Sequence, residues 1–390
     1  MKKIVLILDG MADRRQAILD NQTPVEYAKT PTLDRLFSQS VSGCVKTIPD
    51  GEEAGSAVAN LNLLGFESKK VYKGRAVIEA AGAGLSIDPE SLYVRTNFIT
   101  LSGESYDTSQ IESYSAHELA TEDAVRLGKR LNTELFKDGF ELKSTGSFRN
   151  VLVCKNQTHL LGKLDFMPPH DIIGKAIKDY VKDDADNAPF FALQKQSYDI
   201  LKKDNDTKAN AIWFWGVSVA PDFSEQNSDR KAILAETILM KGIGSMMNAY
   251  VTTTDESRGF IQFLKDKAKA AIETIHGDYD FIYVHIQAPD DLSHELQPKE
   301  KSEALAEIDE YFLGPFIDGL KDLDYRLAIA SDHYPFSDDG SHGRSPAPFI
   351  LYSPGEIQDN PLKTFSEENC INSNLEITPQ KLHEMLGKTK

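Results

Sequence analysis

Carboxylates and imidazoles crowd into one short region of this chain. In "HIQAPDDLSHE", Asp290 and His294 stand four residues apart, a spacing that puts both on one face of a helix and within reach of a shared metal ion. "IASDHYPF" sets Asp332 and His333 directly after an apolar run, and His342 follows nine residues later in "DGSHGRSP". Four of the nine histidines fall between 285 and 342. Any one alone reads as a core or surface histidine, but D-x-x-x-H, strand-D-H and a further His together resist a packing explanation. Carboxylate plus imidazole ligation suits zinc or manganese, and no cysteine joins the set. Asp9 ends the apolar run "IVLILDG" beside Gly10, a residue that permits a sharp exit. It reads equally well as a ligand or as a cap for the segment that follows.

Ser56, in "GEEAGSAVANLNLLGF", poses a second question. A helix starting there carries Val58, Leu61 and Leu64 on one stripe, and serine caps helices well. The same helix N-terminus attracts phosphate, so Ser56 is open to two roles, cap or nucleophile. It does not sit in G-x-S-x-G, no Walker A motif is present, and "GAGLSI" and "GIGSMM" fall short of a dinucleotide fingerprint. A nucleophilic serine without a histidine beside it needs another activator, and a metal ion can be one.

These residues follow short Ile- and Val-rich runs, each trailed by an amphipathic segment, the pattern of βαβ units and a mostly parallel sheet. "KIVLILDG", "AIWFWGV", "AYVTTT", "FIYVHIQAP" and "RLAIASDH" are its expected strands, with helices over 229–247, 259–275 and 299–320. From 88 to 185 the texture changes to "LYVRTNFITL", "GFELKSTG" and "NVLVCK" with one helix near 120–134, which predicts an inserted α+β domain. The expected division is 1–87 and 186–390 for the α/β core and 88–185 for the insertion. "KDDADN" at 182–187 reads as a solvated junction.

The chain of 390 residues carries 60 acidic and 43 basic side chains, a net −17 that argues against nucleic acid. Three scattered cysteines suggest neither a disulfide framework nor a zinc ribbon, and fit a reducing cytoplasm. Asp9 cuts the first apolar run short of a signal-peptide core, and no run approaches the ~20 apolar residues of a membrane span.

Asp9 after the first strand, "GSAVANLNLLG", "APDDLSH", "SDH" and "SHG" occur in an order that resembles the alkaline-phosphatase-like metalloenzymes. Within them the chain is similar to the archaeal-type, cofactor-independent phosphoglycerate mutases, also through "NQTPVEYAKTPTLDRL", "YKGRAVIEA" and "RTNFITL". The resemblance implies an alkaline-phosphatase-like α/β core and two divalent ions. Asp290, His294 and His342 would hold one ion; Asp9, Asp332, His333 and Ser56 would hold the other. Ser56 would carry the phosphoryl group of a small phosphorylated or hydroxylated metabolite as phosphoserine, and the insertion would be the family's second domain.

The chain departs from this family at several positions. Where the family often has "GSD" and a histidine four residues after the serine, this chain has Ala57 and Asn60. Trp215-Gly216 in "IWFWG" stands where an Arg-Gly pair resembles the mutase pattern. Arg75, Arg95 and Arg149 remain as cations for an anionic substrate, each also explicable by pairing between elements. "IWFWG" with "MPPHDIIGK" resembles a bacterial branch proposed as homoserine kinase, in which ATP would be the donor and His170 and Asp171 would lie near the acceptor. The expectation is therefore phosphorylation of homoserine from ATP. The alternative is interconversion of 2- and 3-phosphoglycerate, followed by a metal-dependent phosphatase or an inactive metal-binding homologue.

Overall fold

The computed structural model describes residues 1–224, 228–358 and 360–388. The chain divides into two compact units, one of residues 1–72 with 223–390 and the other of residues 73–222. The expected insertion at 88–185 is therefore too narrow at both ends. The helix Ala76–Gly82 packs on the second unit's strands, and Ala211–Val219 completes its sheet.

The first unit is built on an eight-stranded sheet. Its centre is Lys2–Leu8, flanked in parallel by Phe281–Ile286 and Tyr325–Ala330, and Lys231–Leu234 and Tyr250–Thr252 extend the parallel run on one side. On the other side Ala347–Tyr352 is antiparallel to both Tyr325–Ala330 and Val41–Val45, and Glu376–Ile377 closes that edge. The middle strands are continuous apolar runs because helices cover both sheet faces, so no residue needs to be polar for solvent. Pairing of Ile7 with both His285 and Ala330 sets the carboxyl ends of three strands at one level. The segments beginning at Asp9, Gln287 and Ser331 leave the sheet there, where a parallel sheet places its ligand sites.

The helix expected over 259–275 is Phe260–His276, and 299–320 is helical through a π segment at Ile308–Leu313. In that segment the Asp309 carboxylate accepts from the backbone of Thr32 and Leu33, capping the helix Pro31–Ser38. The 229–247 stretch is not one helix. It begins as the strand Lys231–Leu234 and turns helical only at Ile238, because its first apolar residues are taken into the sheet.

The second unit is an antiparallel sheet centred on Ser91–Ser102, which pairs with Gln110–Ser113, Arg149–Lys155 and Ala211–Val219; Phe140–Gly146 pairs with Arg149–Lys155. Thr121–Glu134 and Ala188–Leu201 contribute Leu127, Leu131, Phe190 and Phe191 to its apolar core. "AIWFWGV" thus belongs to this sheet and not to the parallel one. Its apolar run is buried by aromatic packing of Phe166, Phe190 and Phe191. The 182–187 run lies inside this unit rather than at a junction, and Asp184 accepts from the backbone N–H of Asn187 at the start of a helix.

Candidate metal centre

Asp9 follows the first strand and is fully buried, with neither carboxylate oxygen in a hydrogen bond. Gly10 beside it has φ +63°, and a Cβ there would lie 2.5 Å from Pro335 Cγ and 2.9 Å from the Asp290 Cα. Only glycine fits this close approach. Its N–H donates to Asp332 Oδ1 at 3.0 Å.

Asp290 and His294 lie on the short helix Ala288–His294, started by Pro289 in its first turn, and the expected one-face arrangement holds. His342 returns on the hairpin strand His342–Gly343, paired to Pro335. The His294 and His342 Nε2 atoms converge to 3.2 Å, and His294 Nε2 is 3.6 Å from Asp290 Oδ2. Asp290 Oδ2 also accepts from the Gln287 side chain, while Asp290 Oδ1 faces His333 Nε2 at 3.2 Å. His333 Nδ1 is 3.0 Å from Asp332 Oδ1 and 3.5 Å from Asp9 Oδ1, yet neither ring nitrogen makes a hydrogen bond.

Two groups have ligand atoms close enough for one ion each: Asp290, His294 and His342; and Asp9, Asp290 and His333. The first is the triad expected from the resemblance. The second shares Asp9 and His333 with the expected set and includes Asp290, which thus appears in both groups; Asp332 Oδ1 lies 3.0 Å from His333 Nδ1. Asp332 Oδ1 accepts from the Gly10 and His333 backbone, and Oδ2 from the Asn60 side chain at 3.1 Å.

The electrostatics fit divalent cations. Burial and the adjacent Asp332 and Asp290 carboxylates push Asp9 well above the usual carboxylate range. Burial would also raise Asp332, but the His333 imidazole outweighs it and holds Asp332 far below that range. Burial opposes the charge on His333, and Asp332 with Asp290 overcomes it, raising His333 to about 10. Buried like charges with orphaned oxygen and nitrogen atoms are what a divalent ion relieves. Oxygen and imidazole donors suit zinc or manganese.

Ser56 is the first residue of the helix Ser56–Leu63, with Gly55 at the cap, and its hydroxyl makes no hydrogen bond among the described residues. The cap reading is thereby set aside. Asn60, expected near the substrate, is fully buried one helical turn beyond Ser56. Its amide donates to the Ser56 carbonyl at 2.8 Å and to Asp332, and its oxygen accepts from Tyr283 Oη at 2.6 Å.

The other candidates lie in the second unit. Glu79 Oε1 takes both Arg75 Nε at 2.8 Å and Arg95 Nη2 at 3.0 Å. The Arg95 guanidinium lies 3.6 Å over the Trp215 ring, whose indole N–H donates to Asn97. The exposed His170 meets that indole edge-on at 5.3 Å, with Asp171 beside it. Arg149 lies instead over Phe148.

Two residues escaped sequence reasoning. Tyr283 and His285 both lie in the strand Phe281–Ile286, and His285 Nε2 is 3.0 Å from Asp9 Oδ2. Burial lowers His285 to about 4, so it is neutral. A histidine inside an otherwise unbroken apolar strand was the available signal.

Carboxylates and imidazoles gathered at the carboxyl ends of a mostly parallel sheet, with Ser56 tied to Asp332 through Asn60, form a candidate two-metal centre. Residues 38–205 match the family described as 2,3-bisphosphoglycerate-independent phosphoglycerate mutase, and residues 170–335 the family described as type I phosphodiesterase / nucleotide pyrophosphatase. A 2,3-bisphosphoglycerate-independent phosphoglycerate mutase of Methanosarcina barkeri is 31% identical over 99% of this chain and 98% of its own. The chain belongs to the 2,3-bisphosphoglycerate-independent phosphoglycerate mutase family. Its fold matches the PH0037 protein from Pyrococcus horikoshii at TM-score 0.76, with 24% identity over 99% of this chain and 96% of that one. It also matches the cofactor-independent phosphoglycerate mutase from Thermoplasma acidophilum at TM-score 0.65, with 21% identity over 99% of both chains. Among the described residues no helix is long and apolar enough to cross a membrane.

Proposed function

We propose that this chain interconverts 2- and 3-phosphoglycerate through a phosphoserine at Ser56. The observation that carries this reading is the 31% identity, over nearly the whole of both chains, to a protein named for that reaction. The names of the relatives favour this alternative over phosphorylation of homoserine from ATP. Trp215 points the same way. The homoserine expectation took it as the loss of a cation, but the indole lies beneath the Arg95 guanidinium, so a positive charge is kept at that place.

In the proposed reaction the Ser56 oxygen bonds to phosphorus as the bond from phosphorus to the substrate oxygen breaks, and a proton passes to that oxygen. The glycerate turns, its other hydroxyl gives up its proton and bonds to phosphorus, and the bond from phosphorus to the Ser56 oxygen breaks, that oxygen regaining a proton. Two divalent cations held by Asp9, Asp290, His294, His333 and His342 would supply Lewis acidity and neutralise phosphoryl charge. Asn60 and Asp332 fix the backbone that presents Ser56. Arg75, oriented by Glu79, offers a guanidinium suited to carboxylate or phosphate oxygens.

The test is a ³¹P NMR time course with manganese present, run once with 3-phosphoglycerate and once with ATP and homoserine. Formation of 2-phosphoglycerate alone is expected. Homoserine phosphate without interconversion would reverse the choice.

A further inference from the structure

We propose that Lys301 is a positioning residue for the metal centre: its buried ammonium ties the loop that follows Asp9 to the root of the hairpin that carries His342, and so limits the size of ion the ligands enclose. The proposal rests on the metal reading of the cluster and not on the choice of substrate. Lys301 lies on the helix Pro298–Glu307, and its side chain and that of Asp13 are both fully buried. Its Nζ donates to Asp13 Oδ2 at 2.8 Å and, at 3.4 Å each, to the carbonyls of Ala12 and Pro335. Three ammonium protons thus meet three acceptors. Asp13 Oδ2 also accepts from the Ser337 hydroxyl at 2.6 Å. These partners belong to the two segments that bring ligands out of the sheet. Ala12 and Asp13 follow Asp9; Pro335 and Ser337 follow His333, and Pro335 pairs across the hairpin with His342. The His342 imidazole can turn, but the main chain that carries it is held. Stability alone does not call for such a pair, because charges taken out of water cost nearly what their attraction returns, and apolar side chains of similar volume commonly serve as well. What an apolar pair cannot do is hold the Ala12 and Pro335 carbonyls at one point.

The test compares two ions of equal charge and different radius. The full chain, stripped of metal by a chelator, is titrated with zinc and separately with the larger cadmium, both d¹⁰ ions without a geometric preference of their own. Partial unfolding, or the loss of one positive charge nearby, changes both affinities by the same factor and leaves the ratio of the two dissociation constants unmoved. A centre released to widen moves that ratio. In Lys301→Met the ratio for loading both sites should shift about 10-fold in favour of cadmium. That variant strands a buried carboxylate, so Lys301→Met combined with Asp13→Asn, which removes both charges, is the second and should show the same shift. An unchanged ratio in either folded variant, whatever the separate affinities, overturns the proposal, as does a shift toward zinc or a parent that binds neither ion. No substrate is present, so failure of the mutase reading leaves the result intact.

Discussion

One side-chain amide, that of Asn60, joins the Ser56 carbonyl at 2.8 Å to the Asp332 carboxylate at 3.1 Å. The residue one helical turn beyond the serine thus locks the helix to the end of a sheet strand, and Tyr283 locks the amide in turn. Asn60→Ala should lower the melting temperature, at a cost of ~1–3 kcal/mol for the stranded partners, and should lower kcat more than it raises KM. Unfolding curves and initial rates on phosphoglycerate test this. A variant with parental kcat would show that the amide has no part in presenting Ser56.

Ser56→Ala removes a hydroxyl that caps nothing, so its melting temperature should stay close to the parental one, unlike the ~1 kcal/mol loss of a true cap. Turnover should disappear, and mass spectrometry under turnover should find phosphoserine in the parent only. Residual turnover near the parental rate would dismiss the nucleophile.

Asp290 serves both ligand groups, whereas both oxygens of Asp332 are engaged by Gly10, His333 and Asn60. Asp290→Asn should therefore deplete both ions, and Asp332→Asn at most one. Metal analysis after dialysis checks the order, and the reverse order would refute the shared role of Asp290.

Trp215→Ala takes away the face on which Arg95 rests, a contact of ~1–2 kcal/mol when shielded. Urea unfolding should show a loss of about that size, and if Arg95 also reaches the substrate, KM for phosphoglycerate should rise with kcat little changed. An unchanged KM would mean that Arg95 has no substrate role.

Glu367 accepts from Thr23 Oγ1 and from the Asp13 N–H, and burial raises it from 4.5 to about 7. A raised acid binds its proton more tightly in the folded state than in the unfolded chain. Its contribution is therefore most favourable below the unfolded value, falls as pH rises toward 7, and is constant above. Glu367→Gln should gain on the parent by on the order of 2 kcal/mol between pH 5 and pH 8, read from urea unfolding. A gap equal at both pH values would count against the raised acid.

The sequence made the centre legible where chemistry and periodicity agreed. Asp290 and His294 were readable because a four-residue spacing has one helical meaning, and the strands ending at Asp9 and Ser331 were readable as apolar runs closed by polar residues. Where a run is apolar throughout, its sheet is not written in it: Ala211–Val219 is buried by the aromatics of the second unit just as a parallel strand is buried by helices. His285 stood out as the one histidine of an apolar run, but nothing in the run shows that Asp9 is its neighbour. The part Asn60 plays in the structure was not legible, because its partners Asp332 and Tyr283 are distant in sequence.

Gly10 makes the distance between the strand bearing Asp9 and the helix bearing Asp290 a matter of main chain against main chain, since even a methyl group would intrude to 2.9 Å from the Asp290 Cα. That spacing acts as a fixed gauge, indifferent to side-chain adjustment. Tolerance for ions of different radius then resides on the outer side, in the imidazoles of His294 and His342, of which His294 is 46% exposed. The centre is thus rigid on its buried side and compliant toward solvent, so exchanging one metal for another would re-aim these two rings while the sheet end stays as built.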